Sequence, residues 1–219
     1  RLQVTGGEPF VRNDIFDILE KIHENKGKLV FNIMSNGFYI TKDIAKRLKD
    51  LKIDFFQISI EGDEKTNDHI RGKGAFKKIT EAAKILVEED IRTSFSFTMT
   101  SINNEEYFKV LEIAKGLGVN TLWSDRLVPW GAGRQIQDQM LQPLDLKQHY
   151  EEITKFSKEL KKSGSKTALS RSRTLYFLAD PQRPDRMPWA NHCDAVGTRG
   201  MTILPDGTVY PCRRLPIKV

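Results

Sequence analysis

Apolar stretches of period two alternate with apolar stretches of period 3.6 for the first 128 residues. Strand-like runs begin near residues 2, 29, 55, 93 and 121, and each of the first four is followed by a helix-like stretch. Five such units in series, with no hairpin signal between them, predict a parallel sheet with its helices supplied by right-handed crossovers. Strands are expected at 2–5, 29–34, 55–60, 93–100 and 121–128. Asn13 or Asp14 is placed to cap a helix carrying Ile15, Leu19 and Ile22, and Thr41 one carrying Ile44, Leu48 and Leu51. The 68–74 stretch reads as loop before a helix carrying Ile79, Ala83 and Leu86, and Asn103 is expected to start the helix of Phe108, Leu111 and Ala114. An open doubly wound sheet and a partial barrel satisfy this rhythm equally.

After Val128 the pattern changes. Residues 129–133 are a Pro/Gly-rich loop, Gln142-Pro143 marks the start of a helix of about 18 residues, and a short helix is expected over 172–178 before a proline-rich stretch at 180–188. Asp206-Gly207 between 201–204 and 208–210 predicts a tight hairpin. The reading divides the chain into residues 1–165, a linker over 166–185, and a small second unit over 186–219.

Composition narrows the function classes. The 219 residues are 39% hydrophobic and 29% charged, enough for one sizeable core. No run approaches the ~20 apolar residues that span a bilayer, and the first residues lack signal-peptide character, so a cytoplasmic protein with no membrane partner is expected. The net charge of +6 is spread over helices in which lysines alternate with acids, as between Lys42 and Lys52, which is a solvated face; nucleic acid is not expected as a partner. Two cysteines do not make a disulfide framework.

Chemistry-bearing residues fall at strand ends. Gly6-Gly7-Glu8-Pro9 follows the first strand; its glycines allow close approach of a ligand, and its carbonyls and the Glu8 carboxylate accept hydrogen bonds from an ammonium group, although a plain strand-to-helix turn fits the same letters. Asn36 in Ser35-Asn36-Gly37 and Ser59 in Ser59-Ile60-Glu61-Gly62 end the next two strands, where they offer an amide and a hydroxyl to a ribose or a carboxylate or serve turn chemistry. Thr98 and Leu127 occupy the ends of strands four and five. No G-x-G-x-x-G follows any strand, which excludes the dinucleotide fingerprint. Cys193 and Cys212 are separated as C-x13-G-x4-C with Gly207 between them; an iron-sulfur cluster, zinc, a disulfide and two inert thiols all fit two cysteines.

Taken in order, Gly6-Gly7-Glu8-Pro9, Ser59-Ile60-Glu61-Gly62, Asp68-His69-Ile70-Arg71 and the Cys193…Cys212 pattern resemble a radical S-adenosylmethionine (SAM) enzyme continuing into a SPASM or twitch domain. The resemblance implies a partial parallel (β/α)6 barrel whose first strand lies outside this chain, together with the C-x-x-x-C-x-x-C loop that binds the SAM [4Fe-4S] cluster, since no cysteine precedes Cys193. It implies that Gly6, Gly7 and Glu8 hold the SAM amino group, that Ser59, Asn36, Thr98 and Leu127 complete the cofactor site, and that Arg71 pairs with the SAM carboxylate. Cys193 and Cys212 would be two ligands of an auxiliary [4Fe-4S] cluster. The implied activity is reductive cleavage of SAM and hydrogen abstraction from a peptide or protein substrate, with flavodoxin or ferredoxin as electron donor; tetrapyrrole and small-molecule substrates are the alternative. The 219 residues alone are expected to be inactive. At position 61 the family usually has Asp, so Glu61 is a departure. A metal-free βα-barrel enzyme or a non-catalytic binding module remains the reading from other classes, and no catalytic residue is singled out.

Overall fold

The computed structural model describes residues 1–170, 201–212 and 217. Six strands, β1 (Leu2–Val4), β2 (Phe31–Ser35), β3 (Phe55–Ser59), β4 (Thr93–Met99), β5 (Thr121–Arg126) and β6 (Ala168–Ser170), form one sheet in the order of the chain. Every neighbouring pair is parallel. A doubly wound sheet reverses its strand order at a switch point; here the order never reverses, so right-handed crossovers lay the helices on one face. These are α1 (Ile15–Asn25), α2 (Lys42–Asp50), α3 (Glu64–Arg71), α4 (Ala75–Glu88), α5 (Tyr107–Leu117) and α6 (Pro143–Lys162), with α2 packed on α4 and α4 on α5.

Strand alternation sorts the two faces of the sheet. Phe31 and Ile33, Phe56 and Ile58, Phe95 and Phe97, and Leu122 are buried against Leu19, Leu48, Ile79, Ala83, Leu86 and Leu111 of the helices. Truncating one of these phenylalanines to alanine would cost about 3–5 kcal/mol. The opposite face is polar. Gln57 pairs in register with Ser94, Ser59 with Ser96, and Thr98 with Asp125. Asn32, Gln57, Ser94 and Ser96 are nonetheless buried, and Asn32 Oδ1 has no hydrogen-bond partner.

Two elements differ from the expectation. The stretch before residue 72 is not loop throughout: Asp63 caps α3 by accepting from the Thr66 N–H at 3.0 Å, and Gly72 ends the helix with φ +99°. Glu64–Arg71 carries no apolar stripe, so hydrophobic periodicity could not reveal it. Residues 168–170, read as linker, form β6, held by the Ala168 N–H on the Asn120 carbonyl (2.9 Å) and the Thr167 hydroxyl on the Val119 carbonyl (2.8 Å). The hairpin is present as β7 (Thr202–Ile203) and β8 (Val209–Tyr210), antiparallel, with Gly207 at φ +83°. The helix expected at 172–178, the proline-rich 180–188 stretch and Cys193 lie outside the described residues.

Candidate cofactor site at the C-terminal edge of the sheet

In a parallel sheet built from helical crossovers, ligands meet the carboxyl ends of the strands. Apart from Arg71, which ends α3, the non-cysteine site residues expected from sequence lie at or just beyond that edge. Glu8 follows β1 by four residues, Asn36 follows β2 directly, Ser59 ends β3, Thr98 is the penultimate residue of β4, and Leu127 follows β5.

Glu8 ties the first two strands together. Its Oε1 accepts from the Ser35 hydroxyl at 2.8 Å and the Phe10 N–H at 3.2 Å, and its Oε2 accepts from the Asn36 N–H at 2.7 Å. The Phe10 bond caps the short 3-10 turn Pro9–Val11, and Pro9 at its first position lacks only an N–H that would be unpaired there anyway. A carboxylate offers about four acceptor positions, so three bonds leave roughly one for a ligand. Ser35 in turn accepts from the Gly37 N–H at 2.9 Å, and Asn36 Oδ1 from the Phe38 N–H at 2.8 Å, leaving the Asn36 amide NH2 as the group it can present. Gly6 and Gly7 are exposed, and a Cβ built on either meets no atom within 4 Å.

Glu61 ties the third and fourth strands. Its Oε1 accepts from Arg71 Nη2 at 2.5 Å and its Oε2 from the Thr98 N–H at 3.1 Å. Asn103 Nδ2 donates to both the Glu61 carbonyl (3.0 Å) and the Thr98 carbonyl (3.1 Å), and the Glu61 N–H donates to Asn67 Oδ1 at 2.9 Å. Asn103 stands at the start of the helical stretch as expected, before a 3-10 turn (Asn104–Glu106) that runs into α5 at Tyr107, but its side chain makes no capping bond and instead bonds across to Glu61 and Thr98. Burial pushes the Glu61 carboxyl above the usual carboxylate range, opposed by the Arg71 charge and the Arg71 and Thr98 hydrogen bonds. Asp68 closes the next turn, accepting from the Gly74 and Phe76 N–H groups at 2.6 and 2.8 Å; those donors, Phe76 first, hold its carboxyl below its ordinary value. Arg71 thus engages Glu61 through Nη2, while its Nε is buried with no hydrogen-bond partner.

Leu127 is buried and its N–H bonds the Met99 carbonyl at 3.1 Å. The 128–133 turn folds back on itself, with the Trp130 N–H on the Val128 carbonyl (2.7 Å) and the Gly133 N–H on the Trp130 carbonyl (3.1 Å); a Cβ at Gly133 would sit 2.4 Å from the Val128 oxygen. Cys212 is part-buried, two residues past β8. Among the described residues no three His, Cys, Asp or Glu side chains gather into a metal-binding group, and no helix is long and apolar enough to cross a membrane.

Sequence reasoning missed Ser35, Glu61 and Asn103 as parts of the site. Ser35 sat in the Ser-Asn-Gly triplet as an apparent turn residue, and nothing local in the sequence shows that a serine will meet a carboxylate 27 positions away.

Residues 1–115 match the Radical SAM superfamily, and the chain belongs to it. It is similar to the AdoMet-dependent heme synthase of Methanosarcina barkeri, with 27% identity over 99% of this chain and 63% of that protein. It is also similar to a probable GTP 3',8-cyclase of Saccharolobus islandicus, with 26% identity over 96% of this chain and 66% of that protein. The chain thus spans a little under two thirds of the length of these relatives. The fold resembles that of Streptococcus suis SuiB bound to its precursor peptide SuiA, with a TM-score of 0.76 and 18% identity over 97% of this chain and 48% of that one.

Proposed function

We propose that residues 1–170 are a partial (β/α)6 barrel and that its C-terminal edge holds SAM. The observation that carries this reading is the open Gly6-Gly7 backbone beside a Glu8 carboxylate fixed by Ser35 and Asn36, with Ser59 and Thr98 on the same edge. The sequential strand order and the buried polar face away from the helices fit a sheet curled into a barrel.

The donor set suits the cofactor. The Gly6 and Gly7 carbonyls and the remaining acceptor position of Glu8 receive the methionyl ammonium group. The Asn36 amide and the Ser59 and Thr98 hydroxyls serve the ribose and the carboxylate, and the turn after Leu127 meets the adenine. When bound with its [4Fe-4S] cluster and given one electron by the donor, SAM would release methionine and supply the hydrogen-abstracting chemistry, with Gly6, Gly7, Glu8, Asn36, Ser59 and Thr98 holding it in place. The cluster's cysteines would come from outside these 219 residues, because Cys193 is the first cysteine of the chain. The protein's share is to orient the cofactor and to keep water away from it.

Cys193 and Cys212 begin a SPASM or twitch unit as two ligands of an auxiliary [4Fe-4S] cluster, and β6 extends the barrel part to Ser170. The substrate is a peptide or protein, a reading supported by the likeness of fold to a peptide-bound enzyme. The relation to a heme synthase favours a tetrapyrrole as the second reading. The electron donor is a flavodoxin or ferredoxin in the cytoplasm. The test is anaerobic reconstitution of the full-length protein with SAM and dithionite. Formation of 5′-deoxyadenosine, accelerated by a peptide and not by a porphyrin, supports the reading; acceleration by the porphyrin supports the second; no 5′-deoxyadenosine under any condition refutes both.

A further inference from the structure

The six strands of the parallel sheet carry only two ionisable side chains, Asp125 and Arg126, both at the end of β5. Alternation sends them to opposite faces. Arg126 shares its parity with Leu122, which is packed in the core against the helices, so Asp125 lies on the other face, the proposed inside of the barrel. Around it that face is neutral, with Ser94, Ser96 and Thr98 on β4 and Ser170 on β6 in register with β5. The wall of the proposed chamber therefore holds one carboxylate and no cation borne by a strand.

Asp125 also stands next to the cofactor edge. It pairs in register with Thr98, one strand and about 4.8 Å away. It is 6% exposed, and its Oδ1 accepts from the Arg126 N–H at 2.9 Å. Burial makes the charge count: in a wall that water reaches poorly, an opposite charge is drawn to a carboxylate far more strongly than at the surface. Trp123 lies two residues earlier on the same face, about 7 Å along the strand. A carboxylate and an indole side by side attract a cation twice over, by charge and by the face of the ring. A substrate rimmed with carboxylates, or one bearing phosphate, meets the wrong sign of charge here. Resting on the reading of this edge as a SAM site and of the substrate as a peptide, we propose that Asp125 is a specificity-determining residue. With Trp123 it selects a peptide that presents a cationic side chain, lysine or arginine, to the cofactor edge.

The probes are blocked tripeptides, N-acetyl-Gly-X-Gly-amide, in which X is lysine, arginine, glutamine or glutamate and carries the only charge. Full-length, cluster-reconstituted protein is given SAM and dithionite, and the acceleration of 5′-deoxyadenosine formation is measured at one fixed peptide concentration. The lysine and arginine peptides are expected to accelerate it about tenfold more than the glutamine peptide, with glutamate the weakest. Asp125→Asn keeps the shape without the charge and should erase the preference; Asp125→Glu should retain it. A merely structural Asp125 would lower all the rates together in Asp125→Asn and leave their ratio standing, which overturns the proposal. A wild type that treats the peptides alike overturns it equally, whether or not the variant folds. If Asp125→Asn does not fold, Asp125→Ser is read by the same ratio. Acceleration by a porphyrin alone would refute the peptide reading instead, and no 5′-deoxyadenosine under any condition would refute the SAM site.

Discussion

The Ser35 hydroxyl donates to Glu8 Oε1 at 2.8 Å, joining the end of β2 to the loop after β1. Ser35 is buried, so its loss leaves the carboxylate short of a donor in a place that water does not freely reach. Ser35→Ala is expected to lower stability by about 1–2 kcal/mol and to weaken SAM binding several-fold. Ser35→Thr keeps the hydroxyl and should recover most of the affinity. Urea unfolding and SAM dialysis on the same preparations check both.

His149 gives the fold an acid limit. It is buried beneath Tyr107, ring centroids 5.2 Å apart and nearly perpendicular, and its Nε2 has no hydrogen-bond partner. Burial lowers its pKa from 6.5 to about 4, with only Glu152 pulling the other way. The unfolded chain therefore takes up the proton first as pH falls. Stability is complete above the unfolded pKa of 6.5 and is lost between there and about 4, by roughly 3 kcal/mol. His149→Phe should flatten that slope in urea titrations run across this pH range.

Two glycines should respond in opposite directions. A Cβ on Gly62 would lie 2.8 Å from Thr66 Cβ and 2.9 Å from Thr66 Cγ2, at φ +157°, so Gly62→Ala should destabilise by about 1–3 kcal/mol. Gly116, inside α5, has nothing within 4 Å of a built Cβ, and Gly116→Ala should stabilise by about 0.5–1 kcal/mol. Melting temperatures of the two variants give the signs directly.

What was legible in the sequence was whatever one element encodes by itself. The strands of Phe31, Phe55, Thr93 and Thr121 are fully or largely period-two patterns that begin or end within two residues of expectation, and Gly118 ends α5 in the left-handed conformation that a glycine there announces. Helix α3 was invisible because its stabilisation is local capping by Asp63 and not a buried stripe. β6 was invisible because three residues are too few to show a period. The site divides in the same way. Glu8, Asn36, Ser59 and Thr98 could be placed at one edge because strand ends can be located along the chain, whereas the partners that fix them, Ser35 for Glu8 and the Glu61 and Asn103 pair for Thr98, depend on contacts between elements. Arg71 was singled out by resemblance, and its bond to Glu61 was not foreseen.

The cysteines make a separate prediction. If Cys193 and Cys212 ligate an auxiliary cluster, replacing both with alanine in the full-length protein should remove about one cluster's worth of iron and sulfide and leave the SAM-site cluster in place. Substrate turnover should then fall further than uncoupled SAM cleavage. An unchanged iron and sulfide content would leave them as two ordinary thiols.

Glu8 is the fixed acceptor on which the proposed SAM cradle depends. Equilibrium dialysis of labelled SAM against the full-length, cluster-reconstituted protein, comparing wild type with Glu8→Gln, measures that claim without any substrate. The amide puts a donor where Ser35 and Asn36 need an acceptor, and affinity is predicted to fall about tenfold or more. Wild-type affinity in Glu8→Gln would contradict the account.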